Sequence, residues 1–194
     1  NVLFVSNGSS MSSGVRGGSG SNVSLTEADA RAIQQEASSV LIAAPSVSAS
    51  AQLIRANSNW NSRIYGTVDG YLQAGEWRLQ SGRTFTPQEE RSPAKVAIVG
   101  QTVVSQLFPD EDPIGQTMRI KRVPFTIIGT LASKGEISFG GDQDDVVFVP
   151  IATAKTRIVG GDRFRGPHVS NITVKAVSAG LIMEAEREVN EILR

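Results

Sequence analysis

Residues 95–130 read KVAIVGQTVVSQLFPDEDPIGQTMRIKRVPFTIIGT, and their periodicity changes three times. Lys95 to Val99 is a short apolar run closed by Gly100, the pattern of a buried strand. Val103, Val104, Leu107 and Phe108 then recur at helical spacing, which predicts a short helix over 101–108 that Asp110-Glu111-Asp112-Pro113 stops. From Thr117 the period falls to two: Met118 and Ile120 alternate with Arg119 and Lys121, and 125–130 supplies a second run, so the two make a hairpin. Short elements with dense turns mark a small mixed α/β unit.

Working outward, the elements become longer. Toward the N-terminus, Val2 to Val5 reads as a strand, and 13 Ser or Gly fill positions 6–24, a composition that buries little apolar area and predicts a mobile loop. Thr26 with Asp29 has capping-box spacing, and Ala30, Ile33, Ala37, Val40 and Leu41 continue it as a helix ending at Pro45. Gln52 to Ala56 and Arg63 to Val68 form a hairpin around the polar turn 57–61, and 69–75 makes a short helix. Toward the C-terminus, a Gly- and Asp-rich loop over 134–145 precedes the strand 146–149 and a brief helix after Pro150. Ser170 to Val177 alternates as a strand, and Ile182, Ala185, Val189 and Ile192 mark a final helix over 181–193.

The order βαββ, mixed insert, βα predicts an α+β fold: a split α/β sandwich formed by 1–75 and 168–194, with 76–167 inserted as a smaller mixed α/β subdomain. The chain begins without Met and stops inside an amphipathic pattern, so both ends read as cut.

With 194 residues, the length suits one large domain or two small ones, and 40% hydrophobic residues suffice for a core. Nineteen basic and 19 acidic side chains cancel, which leaves no net field to gather nucleic acid. The absence of Cys excludes disulfides, thiolate metal sites and a Cys nucleophile. No apolar run reaches the ~18 residues of a membrane span.

Catalytic patterns are sparse. Gly17-Gly18-Ser19-Gly20 carries no Lys of a phosphate loop, and reads as solvated. Ser92-Pro93-Ala94-Lys95 has Ser-x-x-Lys spacing, but it enters a strand rather than a helix and no Lys-Thr-Gly accompanies it. His168 is the sole imidazole, in a loop after Arg165-Gly166-Pro167. Asp142, Asp144 and Asp145, with Asp110, Glu111 and Asp112, offer hard oxygens, yet Thr153 stands where an EF-type calcium loop needs Glu. In a Gly-rich turn such aspartates satisfy loop amides. Glu184, Glu186, Glu188 and Glu191 with Arg187 read as a solvated helix face, and Trp60 and Trp77 stand too far apart for a base-stacking platform. No catalytic, cofactor-binding or metal-ligating residue is assigned.

A series of turn motifs carries more information. Asn59-Trp60-Asn61 with Tyr65-Gly66, Gly82-Arg83-x-Phe85, Lys95 to Gly100, Leu107-Phe108 with Asp112-Pro113-Ile114-Gly115-Gln116, Pro124 to Gly129, and Asp142 to Asp145 through Val149-Pro150 occur in one order. That series resembles the periplasmic core domain of MacB-type ABC transporter permeases, the FtsX-like permease family. The resemblance covers nearly all of the chain, and its matching residues are scaffold positions, among them Gly66, Gly82, Gly100, Gly115 and Gly129.

The resemblance implies an extracytoplasmic domain, between the first and second membrane helices of a permease, at the periplasmic face of the bacterial inner membrane. It implies a porter-like subdomain with a small inserted one, and no catalysis within them. ATP and Mg would act in a separate cytoplasmic domain or chain. The implied partners are a second permease copy, a membrane-fusion adaptor and an outer-membrane exit duct, with a drug, peptide or toxin as cargo. Other branches of the family extract lipoproteins or regulate cell-wall hydrolases. A periplasmic module binding a ligand between its subdomains is a further alternative, and a hydrolase built on Ser92 and Lys95 a third.

Overall fold

The computed structural model describes residues 2–6, 25–134, 136–137, 141–158 and 168–193. Of the Ser- and Gly-rich stretch 6–24 read above as a loop, Ser6 ends the first strand, and 7–24, with Gly17 to Gly20, lies outside the described residues. In chain order the elements are β1 (Val2–Ser6), α1 (Glu27–Glu36), β2 (Val40–Arg55), β3 (Ser58–Thr67), α2 (Asp69–Ala74), β4 (Leu79–Gly82), α3 (Pro87–Arg91), β5 (Val96–Val99) and α4 (Gln101–Leu107). There follow β6 (Thr117–Ile120), β7 (Val123–Leu131), β8 (Glu136–Ile137), β9 (Gly141–Asp142), β10 (Val146–Pro150), α5 (Ile151–Thr153), β11 (Asn171–Ala176) and α6 (Ile182–Ile192). Five residues of π-helix, Ala154–Ile158, extend α5. The mixed α/β class expected from the sequence is the observed one. The chain divides into two compact units.

The first unit comprises Asn1–Val47, Gly70–Glu76 and Gly161–Arg194. Its sheet is antiparallel: β11 lies between β1 and the first part of β2, with Val2 opposite Lys175 and Asn171 opposite Ser46. The register sets Leu3 against Val174 and Val5 against Ile172, and all four are buried. Helices α1 and α6 pack on each other, and α6 also touches β1; they bury Ala30, Ile33, Ala185 and Val189. The capping box at Thr26 forms, since the Asp29 amide donates to Thr26 Oγ1 at 3.1 Å and the Thr26 amide donates to Asp29 Oδ2 at 2.9 Å.

One expectation here is corrected. Helix α1 stops at Glu36, and Val40 and Leu41 open a 16-residue strand that passes through Pro45. Proline withdraws one ladder donor, yet Pro45 stays in register with Ile172. Pairing with β11, more than 120 residues along the chain, outweighs the local helical spacing.

The second unit comprises Ser48–Asp69 and Trp77–Gly160. Strand β2 pairs with β3, β3 runs parallel to β10, β10 antiparallel to β5, and β5 parallel to β7. Strand β6 then pairs antiparallel with both β7 and β2, so the six strands form a closed ring, and β4 adds to the far part of β7. Closure removes free edges from those six strands. Its filling includes Leu53 opposite Ile120 and Met118 opposite Phe125, each 0% exposed. The fully buried Leu107 and Phe108 sit at the end of α4, which packs on β3, β7 and β10.

The hairpin of β2 and β3 turns over Ala56 and Asn57 alone, with Ala56 at φ +52°, rather than over the polar stretch 57–61. Residues Ser58 to Asn61 are the start of β3, in which Ser58, Asn59 and Asn61 are exposed, and their polarity made the stretch read as a turn. This hairpin also moves the boundary between units. The sequence order placed 1–75 together, whereas Ser48–Asp69 cluster with the second unit because Arg63 to Thr67 pair with Val146 to Pro150.

Candidate functional site

The acidic loop is where the sequence concentrates oxygen ligands, and in the second unit each aspartate is engaged by protein donors. Asp142 accepts from the Asp144 amide at 2.9 Å and from the Thr102 hydroxyl at 2.5 Å. Asp144, 6% exposed, accepts from the Lys134 amide at 2.7 Å and the Ser133 hydroxyl at 2.5 Å. Asp145 Oδ1 accepts from Trp60 Nε1 at 2.9 Å and from the Ser62 hydroxyl at 2.8 Å. The loop thus ties β3, α4 and the end of β7 to the start of β10. Among the described residues no group of three or more His, Asp or Glu is placed to hold a metal ion. Asp112 Oδ1 accepts the Ile114 amide at 3.0 Å and shapes the turn before β6.

The other sequence candidates are dispersed. Ser92 is the residue that ends α3 and Lys95 is an exposed residue before β5, so the two are not stacked on a helix. His168, in the first unit, is half-buried in a bridge with Thr26, where the sequence suggested a solvated loop. Arg187 pairs with Glu184 at 2.8 Å and Glu191 at 3.1 Å on the outer face of α6. Trp77 packs edge-on against Phe148 at 5.7 Å, under the Lys134 ammonium at 4.3 Å.

Two arrangements escaped the sequence. At the end of β2, Arg55 lies over the Phe108 ring at 4.5 Å, donates to Leu107 O at 3.0 Å and Gln116 Oε1 at 2.6 Å, and pairs with Glu111 at 2.5 Å. It bolts β2 to the end of α4 and the residue before β6. In the first unit, Glu188 of α6 accepts from the Ser39 hydroxyl at 2.7 Å, which holds its carboxyl below the ordinary carboxylate range; Ser38 approaches at 3.3 Å. This lock fastens α6 to the corner between α1 and β2. No sequence signal identified either, because the partners are 52 to 150 residues apart.

Among the described residues these contacts fasten one element to another within each unit. The two terminal elements, β1 and α6, touch each other within one unit, and both bury their apolar face there. Among the described residues no helix is long and apolar enough to cross a membrane.

A family model described as MacB-like periplasmic core domain matches residues 1–192. A macrolide export ATP-binding/permease protein MacB of Syntrophobacter fumaroxidans is 42% identical over 154 residues, covering 79% of this chain and 22% of that protein. The protein of that name from Rhodospirillum rubrum is 35% identical over 177 residues, covering 91% and 26%. The chain therefore spans about a quarter of the length of these relatives. Among solved structures, the periplasmic region of MacB from Actinobacillus actinomycetemcomitans superposes with a TM-score of 0.78 at 23% identity, covering all of this chain and 82% of that one. The extracellular domain of the noncanonic ABC-type transporter YknZ from Gram-positive bacteria gives 0.75 at 21% identity, covering 100% and 92%.

Proposed function

The chain belongs to the family of MacB-like periplasmic core domains, and from that premise we propose that it is the mechanical coupler and docking domain of an ABC exporter. In this reading ATP and Mg are bound by cytoplasmic parts of the full protein, and the domain itself is non-catalytic. Membrane helices carry the stroke to it at the periplasmic face of the inner membrane. Two permease copies work as a dimer. An adaptor and an outer-membrane duct dock on the periplasmic side, and a drug, peptide or toxin is expelled.

The observation that carries this reading is the match over residues 1–192, together with relatives whose names join an ATP-binding part and a permease. The first unit is suited to such a role. A force applied at β1 enters a ladder of five register pairs with β11, and a force applied at α6 enters the Glu188 lock and the buried Val189. Close-packed cores have low compressibility and so transmit strain.

Val189→Pro in the full-length transporter tests the coupling. Proline removes an i→i−4 hydrogen bond and clashes with the preceding turn, costing about 3 kcal/mol or more in a helix interior. Export should be abolished while ATP hydrolysis persists; unimpaired export would remove α6 from the coupling path.

A further inference from the structure

The seam between β2 and β6 that closes the ring of strands is short. Leu53 stands opposite Ile120 and Ile54 opposite Arg119, and the Lys121 amide donates to Gln52 O at 3.1 Å. Pairing then stops, although β2 continues to Arg55 and β6 starts at Thr117. At this end of the seam a cavity of about 240 Å³ opens, lined by Ile54, Arg55, Ala56, Thr117 and Arg119.

The lining is chemically uneven. Opposed residues of an antiparallel pair share a face, as do residues two apart on one strand, so Ile54, Arg119 and Thr117 project to the same side. Among the described residues, neither the exposed Arg119 guanidinium nor the Thr117 hydroxyl has a hydrogen-bond or ion-pair partner. Arg55 is in a different state: its charge is matched by Glu111, and its contacts to Phe108, Leu107 and Gln116 fix that wall. The next turn adds Lys121 and Arg122, of which the Lys121 ammonium already donates to Ile158 O at 2.5 Å. One unspent guanidinium and a hydroxyl therefore stand beside the apolar Ile54 and Ala56, in a locally basic corner of a chain whose net charge is zero.

We propose that this cavity binds the carboxylate of a small amphiphilic acid. Arg119 and Thr117 donate to the head group, and Ile54 and Ala56 receive the apolar stem. A guanidinium fork fits carboxylate and phosphate alike; the apolar side favours an acid with an alkyl stem over a bare anion. Pockets for drug-sized ligands measure roughly 300 to 1,000 Å³, so this smaller space suits a head group and a short stem. The proposal lies wholly within the second unit and holds whether or not the domain couples export.

The test is a titration of the 194-residue chain with octanoate, acetate and inorganic phosphate at matched ionic strength, followed by amide NMR shifts. Saturable shifts are expected at Ile54, Ala56, Thr117 and Arg119, with octanoate binding at least about fivefold tighter than acetate or phosphate. Arg119→Ala should weaken octanoate about tenfold or more, and Arg119→Lys should recover part of that loss. Arg122→Ala removes the same charge from the neighbouring turn and should change affinity less than about twofold. Equal losses in the Arg119→Ala and Arg122→Ala variants would reduce the site to a diffuse basic patch, and equal affinity for octanoate and phosphate would remove the stem. Either result, or the absence of saturable shifts, overturns the proposal.

Discussion

At Gly82 the backbone has φ +80°, and a Cβ there would stand 2.1 Å from Ile128 O and 2.7 Å from Gly129 Cα. A side chain faces both a strained conformation and a backbone that cannot step aside. Gly82→Ala should cost more than about 1 kcal/mol, read as a melting point several degrees lower. Gly180, whose nearest neighbour is Ser178 Oγ at 4.0 Å, is the control: Gly180→Ala should leave the melting point within a degree or two. The residue scale also sets a pH dependence. Hydrogen bonding to Arg83 at 2.7 Å lowers the Glu89 pKa from 4.5 to about 2, against a smaller opposing effect of burial. Because the folded value is depressed, the pair's contribution is complete above about pH 4.5 and fades as pH falls toward about 2. Arg83 is 53% exposed, so solvent screening keeps this contribution below about 1 kcal/mol. Urea midpoints measured at pH 6 and pH 2.5 should differ less in Glu89→Gln than in the parent; an unchanged difference would remove Glu89 from the acid response.

Elements held by local signals were legible, and those held by distant partners were not. The box at Thr26 and Asp29 is an i, i+3 pattern that any helix start displays. The same spacing at Thr86 and Glu89 caps α3, a helix the turn density concealed. Strand β4 gave no signal because all four of its residues are exposed, and only its pairing with β7 makes it a strand. The acidic loop was legible in composition but not in its work of fastening β3 to β10. Asp145→Ala would leave Trp60 Nε1 and the Ser62 hydroxyl without their acceptor, in a residue, Ser62, that is 4% exposed. The expected loss is roughly 1–3 kcal/mol, the cost of stranding a buried polar group. Asp145→Asn retains an acceptor oxygen and should lose less; equal losses in urea unfolding would show that charge, rather than the hydrogen bonds, holds the loop.

At the scale of the whole molecule, the second unit has its own core and a closed ring of strands, and its residues all fall between Ser48 and Gly160. A compact unit with its own core can fold alone. The excised segment 48–160 should therefore unfold cooperatively with dispersed amide shifts, whereas a broad, non-cooperative transition would make it dependent on the rest of the chain. The first unit is assembled from three separate stretches, and its β1 and β11 pair across 165 or more residues, so its sheet closes only when both chain ends are present. The sequence by itself determined the α+β class, most elements of 95–130, the helix cap at Thr26 and the family series of turns, since these rest on periodicity and on residues within one or two turns of each other. Tertiary structure alone decided that β2 runs through Pro45, that its hairpin belongs to the second unit, that six strands close on themselves, and that Arg55 and Glu188 fasten distant elements. Those outcomes depend on which distant surfaces meet, and cross-strand pairing and burial between such surfaces outweigh the modest local propensities that a sequence displays.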